Sequence, residues 1–90
     1  MTDDDVDIGH GVRISFVVNS DGQRCGIHER HNCNGDTEAG HWVGFRGVAG
    51  GEVANSWMVE SMDPLTLSPS ILCRTCGHHG FIREGKWVPA

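Results

Sequence analysis

The stretch Ile71-Leu72-Cys73-Arg74-Thr75-Cys76-Gly77, followed by the strand-like segment Phe81-Ile82-Arg83, decides the fold of this chain. Two cysteines that are separated by two residues and followed by glycine form a tight turn, which directs both sulfur atoms at one metal ion. A redox pair has the same spacing but needs a βαβ context, and two ordinary thiols are a third interpretation. Because strand-like segments lie on both sides of the pair, the sequence favours a zinc-ribbon-like hairpin.

A structural zinc ion takes four ligands, so Cys73 and Cys76 need two more. Cys33 is the next candidate, because His31-Asn32-Cys33 is compact and lies just before a turn signal. The last place falls to His31 or to His79, which follows Cys76 by three residues and can fold back toward the same ion. The sequence therefore predicts one Zn²⁺ held by Cys73, Cys76 and Cys33, with His31 or His79 as the fourth ligand.

Two further candidates fit less well. Cys25 and His28 lie in a predicted strand, and at a separation of three residues their side chains point to opposite faces of it. A shared ion is therefore not expected there. His10 and His41 flank glycines, and the sequence assigns them no role.

The rest of the chain is typical of short β-strands joined by turns. It contains 13 glycines, and no segment shows a sustained helical period of apolar residues. Alternating apolar residues and turn signals predict about six short strands, mostly antiparallel. The expected pairs are Gly11–Val18 with Gln23–His28, residues 42–45 with Val53–Val59 across Gly50-Gly51, and Ser70–Leu72 with Phe81–Arg83, followed by Lys86–Val88.

Length and charge limit the organisation of the chain. Its 90 residues suffice for one small domain. Four of its 12 acidic residues lie between positions 3 and 7, and the other eight nearly balance seven basic residues. We therefore expect an acidic N-terminal tail over residues 1–8 and a single zinc-binding β domain over residues 9–90.

The same features exclude several partners. A nearly neutral body offers no broad basic surface for phosphate backbones, so we expect no nucleic-acid partner. No apolar run approaches the roughly 20 residues of a membrane helix, and the acidic start does not resemble a secretory signal. Four cysteines without such a signal fit reduced metal ligands in a cytoplasm.

Two C-terminal segments carry a resemblance to a known family. Residues 64–73, with Pro69-Ser70-Ile71, and residues 76–89, with Cys76-Gly77-His78-His79-Gly80-Phe81-Ile82-Arg83-Glu84-Gly85, resemble small uncharacterised proteins encoded widely by phages of actinobacteria. Some members are labelled ammonia monooxygenases. The resemblance implies a metal-binding β domain in which Cys76 and His79 match the Cys-x-x-His element of the family, and it implies no established reaction.

The sequence resembles several enzyme motifs, and each of them is incomplete. Ammonia oxidation is carried out by large membrane assemblies, and a metal held by several cysteines lacks the open position that oxygen needs. The histidines of His28-Glu29-Arg30-His31 are three apart, whereas the metalloprotease helix motif needs four. A zinc deaminase requires a proline directly before the first cysteine of the pair, and Pro69 is not adjacent to Cys73. No Gly-x-Ser-x-Gly elbow is present.

These observations predict a non-catalytic, phage-encoded zinc-binding protein that acts as a protein–protein interaction module. Its partner would be a host or phage protein. The alternative is a virion component that binds capsid or tail proteins, and a zinc-dependent hydrolase or deaminase is a weaker third reading. The expected location is the cytoplasm of the bacterial host, or the virion for the alternative.

Overall fold

The computed structural model describes residues 5–51 and 56–90. Within these ranges the chain forms β-strands and no helix, which confirms the all-β, mostly antiparallel fold. The strands are more numerous than the sequence predicts. They are β1 (Val6–Gly9), β2 (Val12–Val18), β3 (Arg24–Arg30), β4 (Gly40–Gly44), β5 (Met58–Met62), β6 (Leu65–Ser68), β7 (Ile71–Leu72), β8 (His79–Arg83) and β9 (Lys86–Pro89).

The strands form three antiparallel sheets. Strands β1 to β4 make a four-stranded meander, β5 and β6 a two-stranded hairpin, and β7 to β9 a three-stranded meander. The predicted β2–β3 hairpin is present and turns at Asn19, whose side-chain oxygen accepts hydrogen bonds from the backbone N–H groups of Asp21 and Gln23. The predicted β7–β8–β9 meander is also present.

The N-terminal segment differs from the expected tail. Val6–Gly9 pairs with β2, and Ile8 is buried in the core. The boundary that the sequence predicts between residues 8 and 9 therefore falls inside a strand. Asp5 accepts hydrogen bonds from Arg13 and Arg30, so part of the acidic stretch is tied to the first sheet. Asp3 and Asp4 lie outside the described residues.

The predicted pairing of residues 42–45 with Val53–Val59 is wrong. Strand β4 pairs with β3, and β5 pairs with β6. Phe45 and Trp57 share only an isolated parallel bridge. A Cβ on Gly44 would clash with the Gly51 carbonyl, and a Cβ on Gly51 would clash with the Cys25 carbonyl, so this loop folds onto β3 and β4 instead of making a hairpin. Residues 53–55 of the predicted strand lie outside the described residues.

The hydrophobic core lies between the sheets. It combines residues of the first sheet with Leu65 and Leu67 of β6 and with the inner face of the C-terminal meander, where Ile82 and Trp87 are almost fully buried. Gly80 allows the Trp87 ring to lie directly against the backbone of β8. This packing fixes which face of the C-terminal meander points outward. The part of the chain that the structure describes has no helix with the length and hydrophobicity needed to cross a membrane.

Candidate functional site

The turn between β7 and β8 brings two cysteines to the end of β3. Gly77, in the left-handed region at φ +80°, closes the turn by donating a hydrogen bond from its N–H to the Cys73 carbonyl at 2.8 Å. The Cys73 N–H donates in turn to the His78 carbonyl at 2.8 Å. The predicted turn Cys73-Arg74-Thr75-Cys76-Gly77, called the knuckle below, thus has the local geometry expected from its sequence.

A second short turn supplies two more side chains. Cys33 and Asp36 exchange backbone hydrogen bonds across Asn34-Gly35, and both central residues have positive φ angles. This turn holds Cys33 beside the knuckle and places His31 at the end of β3. The ligand atoms of four residues lie within 4.8 Å of one another and could hold a metal ion: His31, Cys33, Cys73 and Cys76.

The distances inside this cluster match a tetrahedral ion. The Sγ atoms of Cys33 and Cys73 are 3.8 Å apart, and Cys76 Sγ lies 3.4 Å from His31 Nε2. Zinc bonds of about 2.3 Å to sulfur and about 2.0 Å to nitrogen imply edges of about 3.8 and 3.5 Å in a regular tetrahedron. The four groups therefore fit a single small metal ion of this kind.

The electrostatics favour a ligand set that is partly deprotonated. The backbone N–H of Cys76, and further hydrogen bonds, lower the pKa of Cys73 to about 5, which makes it a thiolate at neutral pH. Burial, together with hydrogen bonds to the sulfurs of Cys76 and Cys73, raises the pKa of Cys33 to about 12. A cation in the cluster would offset this accumulation of negative charge.

His31 is oriented by a carboxylate that the sequence analysis did not assign. Its Nδ1 lies 2.8 Å from Oε2 of Glu29, and both side chains are buried. Burial raises the pKa of Glu29, although the neighbouring His31 opposes this shift. Burial would lower the pKa of His31, but the bond and charge of Glu29 raise it to about 8. When Nδ1 donates to Glu29, the lone pair of Nε2 faces the sulfur atoms.

A column of parallel rings surrounds this histidine. His31 stacks against His78 at 4.5 Å between ring centroids, and His78 stacks against Trp87 at 4.6 Å. On its other side His31 faces His41 at 5.8 Å. Burial and the charges of the neighbouring histidines lower the pKa of His78. The column connects the first sheet to β9 and holds His31 in place.

His79 lies outside the cluster. Its neighbour His78 faces the metal-ligand side, and adjacent residues of an extended chain point in opposite directions. His79 is therefore exposed on the outer face of the C-terminal meander. There its Nε2 lies 2.8 Å from Oγ of Ser70. The structure brings the other four predicted ligands together and places this fifth one beside a serine.

The Ser70–His79 pair was not predicted, although a signal was present. Ser70 precedes Cys73 by three residues, and His79 follows Cys76 by three residues. In a hairpin closed by the knuckle, these positions are diagonal neighbours across two strands, within reach of a hydrogen bond. The observed register, with Leu72 opposite His79, gives this arrangement.

Comparisons with known proteins identify one family. The family described as "Bacterial ubiquitination-like system serine protease (BubE)" matches residues 10–90. None of the curated proteins and none of the solved structures compared with the chain shows significant similarity. The resemblance to small phage proteins stays a prediction.

The family match corrects the functional expectation. The sequence analysis predicted a non-catalytic interaction module, with a virion component as the alternative, and no enzyme. That prediction is wrong, because the matched family is described as a serine protease. The error has a reason in the sequence: no contiguous serine-protease motif is present in it, and His79 fitted the pattern of a metal ligand.

Proposed function

Because this chain belongs to the family of bacterial ubiquitination-like system serine proteases, we propose that it cleaves peptide bonds with Ser70 as the nucleophile and His79 as the general base. The observation that carries this proposal is the 2.8 Å separation between Ser70 Oγ and His79 Nε2. This distance is within the range that proton transfer from a serine hydroxyl requires. His79 is exposed, so a polypeptide can reach the pair.

The two residues account for both halves of the reaction. Ser70 Oγ attacks the carbonyl carbon while its proton passes to His79 Nε2. The C–N bond then breaks, and His79 gives that proton to the leaving amine, which leaves an ester on Ser70. A water molecule attacks the ester, again losing a proton to His79. The carboxylic acid leaves, and the proton returns to Ser70 Oγ.

The pair acts as a dyad. Among residues 5–51 and 56–90, no side chain forms a hydrogen bond with Nδ1 of His79, so no described acid orients the ring in this structure. The strand pairing orients it instead. Leu72 lies directly opposite His79, and the Phe81 ring is 6.4 Å away on the same strand.

We further propose that the ion of the Cys–His cluster is zinc. Three cysteines and one histidine form one of the ligand sets typical of structural zinc, and such sites are closed to substrate. When bound, the ion supplies a cross-link between the end of β3 and the β7–β8 turn. Glu29 supports this role, because histidine ligands of zinc usually donate their second N–H to a carboxylate or carbonyl.

The cluster and the dyad share one hairpin. Ser70 immediately precedes β7, His79 begins β8, and the Cys73–Cys76 turn connects these strands. We propose that metal binding fixes this hairpin and thereby the separation between nucleophile and base. Four free cysteines fit a reducing compartment, which supports a location in the bacterial cytoplasm.

The family description also bears on the substrate. It assigns the family to a bacterial ubiquitination-like system. We propose that the peptide bond cleaved by this chain belongs to a protein of such a system.

A fluorophosphonate probe tests the proposed chemistry without knowledge of the substrate. We expect the zinc-loaded protein to be labelled at Ser70, identified by peptide mass spectrometry, and Ser70→Ala to remain unlabelled. Ser61→Ala is the matched control, because Ser61 is similarly half-buried and lies on β5. A folded, zinc-loaded protein that is not labelled at Ser70 would refute the proposed function.

A further inference from the structure

The outer face of the C-terminal meander surrounds the Ser70–His79 pair. Ile71, Ile82 and Trp87 are buried on the inner face, so the alternating residues of each strand point outward. The register places Leu72 opposite His79, Phe81 opposite Val88, and Arg83 opposite Lys86. The outer face therefore runs from the dyad over apolar side chains to two cations at its far end.

One strongly exposed apolar residue, Leu72, lies on this face. Among the described residues, three large hydrophobic side chains are strongly exposed: Val6 at 49%, Met58 at 51% and Leu72 at 47%. Leu72 follows Ser70 by two residues, and Met58 pairs with Ser68, two residues before Ser70. Leu72 is therefore the strongly exposed apolar residue on the outer face beside the nucleophile, and Met58 lies on the neighbouring β5–β6 hairpin.

The far end of the face carries an unfavourable charge pair. Arg83 and Lys86 lie directly opposite each other, and like charges in this arrangement destabilise a sheet. Neither forms an ion pair with a described residue, although the Arg83 guanidinium stacks on the Phe81 ring at 4.3 Å. The acidic Glu84 follows in the turn. A carboxylate of a bound partner would relieve the repulsion between the two cations.

Two cavities of the described chain lie away from this face. A cavity of about 350 Å³ lies beside Trp42 and His28 on the first sheet, and one of about 250 Å³ lies beside Phe16 and Pro64. Neither is lined by Ser70 or His79. A substrate of the dyad must therefore lie across the open face of the meander.

We propose that this face binds the substrate as an extended polypeptide with an apolar residue beside the scissile bond and an acidic residue farther along. The proposal rests on the proposed protease function. The apolar residue packs on Leu72 and Phe81, and the acidic residue meets Arg83 and Lys86. Arg83 follows His79 by four residues, which corresponds to about 13 Å at about 3.3 Å per residue of strand. The acidic residue accordingly lies about four positions from the cleaved bond.

Cleavage-site profiling tests this specificity. The zinc-loaded protein is incubated with a synthetic peptide library of random sequence, and new termini are mapped by mass spectrometry. We expect Leu, Met, Phe or Val within two positions of the cut, and Asp or Glu enriched three to five positions away, at about 3.3 Å per residue. Arg83→Glu combined with Lys86→Glu should lower cleavage of the acidic peptides about tenfold and shift the preference toward Lys and Arg.

The apolar contact is tested separately. Leu72→Ser should lower kcat/KM for the best library peptide about tenfold or more, and by a larger factor than it lowers the rate at which the small fluorophosphonate probe labels Ser70. Val6→Ser, which removes an equally exposed side chain from the first sheet, should change neither quantity.

The outcomes separate this inference from the proposed function. Absence of labelling at Ser70 removes the protease function and this proposal with it. A labelled protein that cuts no library peptide, or whose cut sites show no charge preference, overturns the proposal alone. So does a Leu72→Ser variant that changes only the oligomeric state in sedimentation, because the face would then bind a second copy of the chain.

Discussion

Ser70 Oγ and His79 Nε2 lie 2.8 Å apart at the root of the hairpin whose tip carries Cys73 and Cys76. Ser70 and His79 therefore lie at the two ends of one ten-residue segment, and two ligands of the cluster lie in its middle. This relationship connects the proposed activity to the proposed metal.

Replacing the base should leave the fold intact. His79→Gln removes the proton acceptor of Ser70 but keeps a polar side chain at an exposed position. General-base catalysis accelerates a reaction by about 10²- to 10⁴-fold. The rate of fluorophosphonate labelling should therefore decrease by a factor of this size. The melting temperature and zinc content should stay unchanged. Loss of one zinc per chain in this variant would instead identify His79 as a ligand.

Removing a ligand should destabilise the protein more than removing another cysteine. Cys76→Ser leaves an incomplete site, and a small β domain gains much of its folding energy from a structural metal. Cys25 is also buried, but its Sγ contacts only the Val17 carbonyl at 3.5 Å among the hydrogen bonds of the described chain. Cys25→Ser should therefore cost about 1 kcal/mol.

Elemental analysis and thermal unfolding measure this difference. Wild type and Cys25→Ser should each contain one zinc per chain, and Cys76→Ser should contain little zinc and melt at a clearly lower temperature. Equal melting temperatures for wild type with and without chelator would contradict a structural role for the ion.

Glu29 should increase the metal affinity of the cluster through its hydrogen bond with His31. Glu29→Gln keeps the size and a hydrogen-bond acceptor but removes the charge that orients and polarises the imidazole. Loss of such a partner typically lowers metal affinity about 10- to 100-fold. Competition with a chromophoric chelator measures this change. Glu60→Gln, at an exposed position of β5, serves as the control and should retain wild-type affinity.

The metal should also control the geometry of the dyad. Cys33 lies 37 positions before Ser70 and meets the hairpin at the metal cluster, where its Sγ is 3.8 Å from that of Cys73. We expect Cys33→Ser to lower both the zinc content and the labelling rate of Ser70. Hydrogen exchange of the β7 and β8 amides should increase in parallel. A zinc-free variant that is folded and labelled at the wild-type rate would show that dyad and metal are independent.

The sequence was most informative where the signals are local. The Cys73–Cys76 turn, the β8–β9 turn at Glu84-Gly85 and the alternation in β2 each specify structure within a few residues, and all three are present. The pairing of β4 with β3 was not accessible in this way, because no short turn joins these two strands. Gly50-Gly51 resembles a hairpin turn in the sequence, but in the structure Gly51 allows close packing against neighbouring backbone.

The site was predictable to a similar degree. Metal-ligand spacing identified Cys33, Cys73 and Cys76, since such ligands come in short, recognisable turns. It could not separate His31 from His79, because the choice depends on which face of the hairpin each side chain occupies. Glu29 gave no signal, because a carboxylate in a strand looks like a solvent-exposed residue until its burial is known.

The acyl-enzyme itself tests the central claim most directly. The zinc-loaded protein is mixed with p-nitrophenyl acetate, quenched at short times and digested for peptide mass spectrometry. The account predicts an acetyl group on Ser70 that appears during an initial burst, disappears as the ester hydrolyses, and is absent from Ser70→Ala. A folded, zinc-loaded protein that hydrolyses the ester no faster than Ser70→Ala and never carries an acetyl group on Ser70 would contradict it.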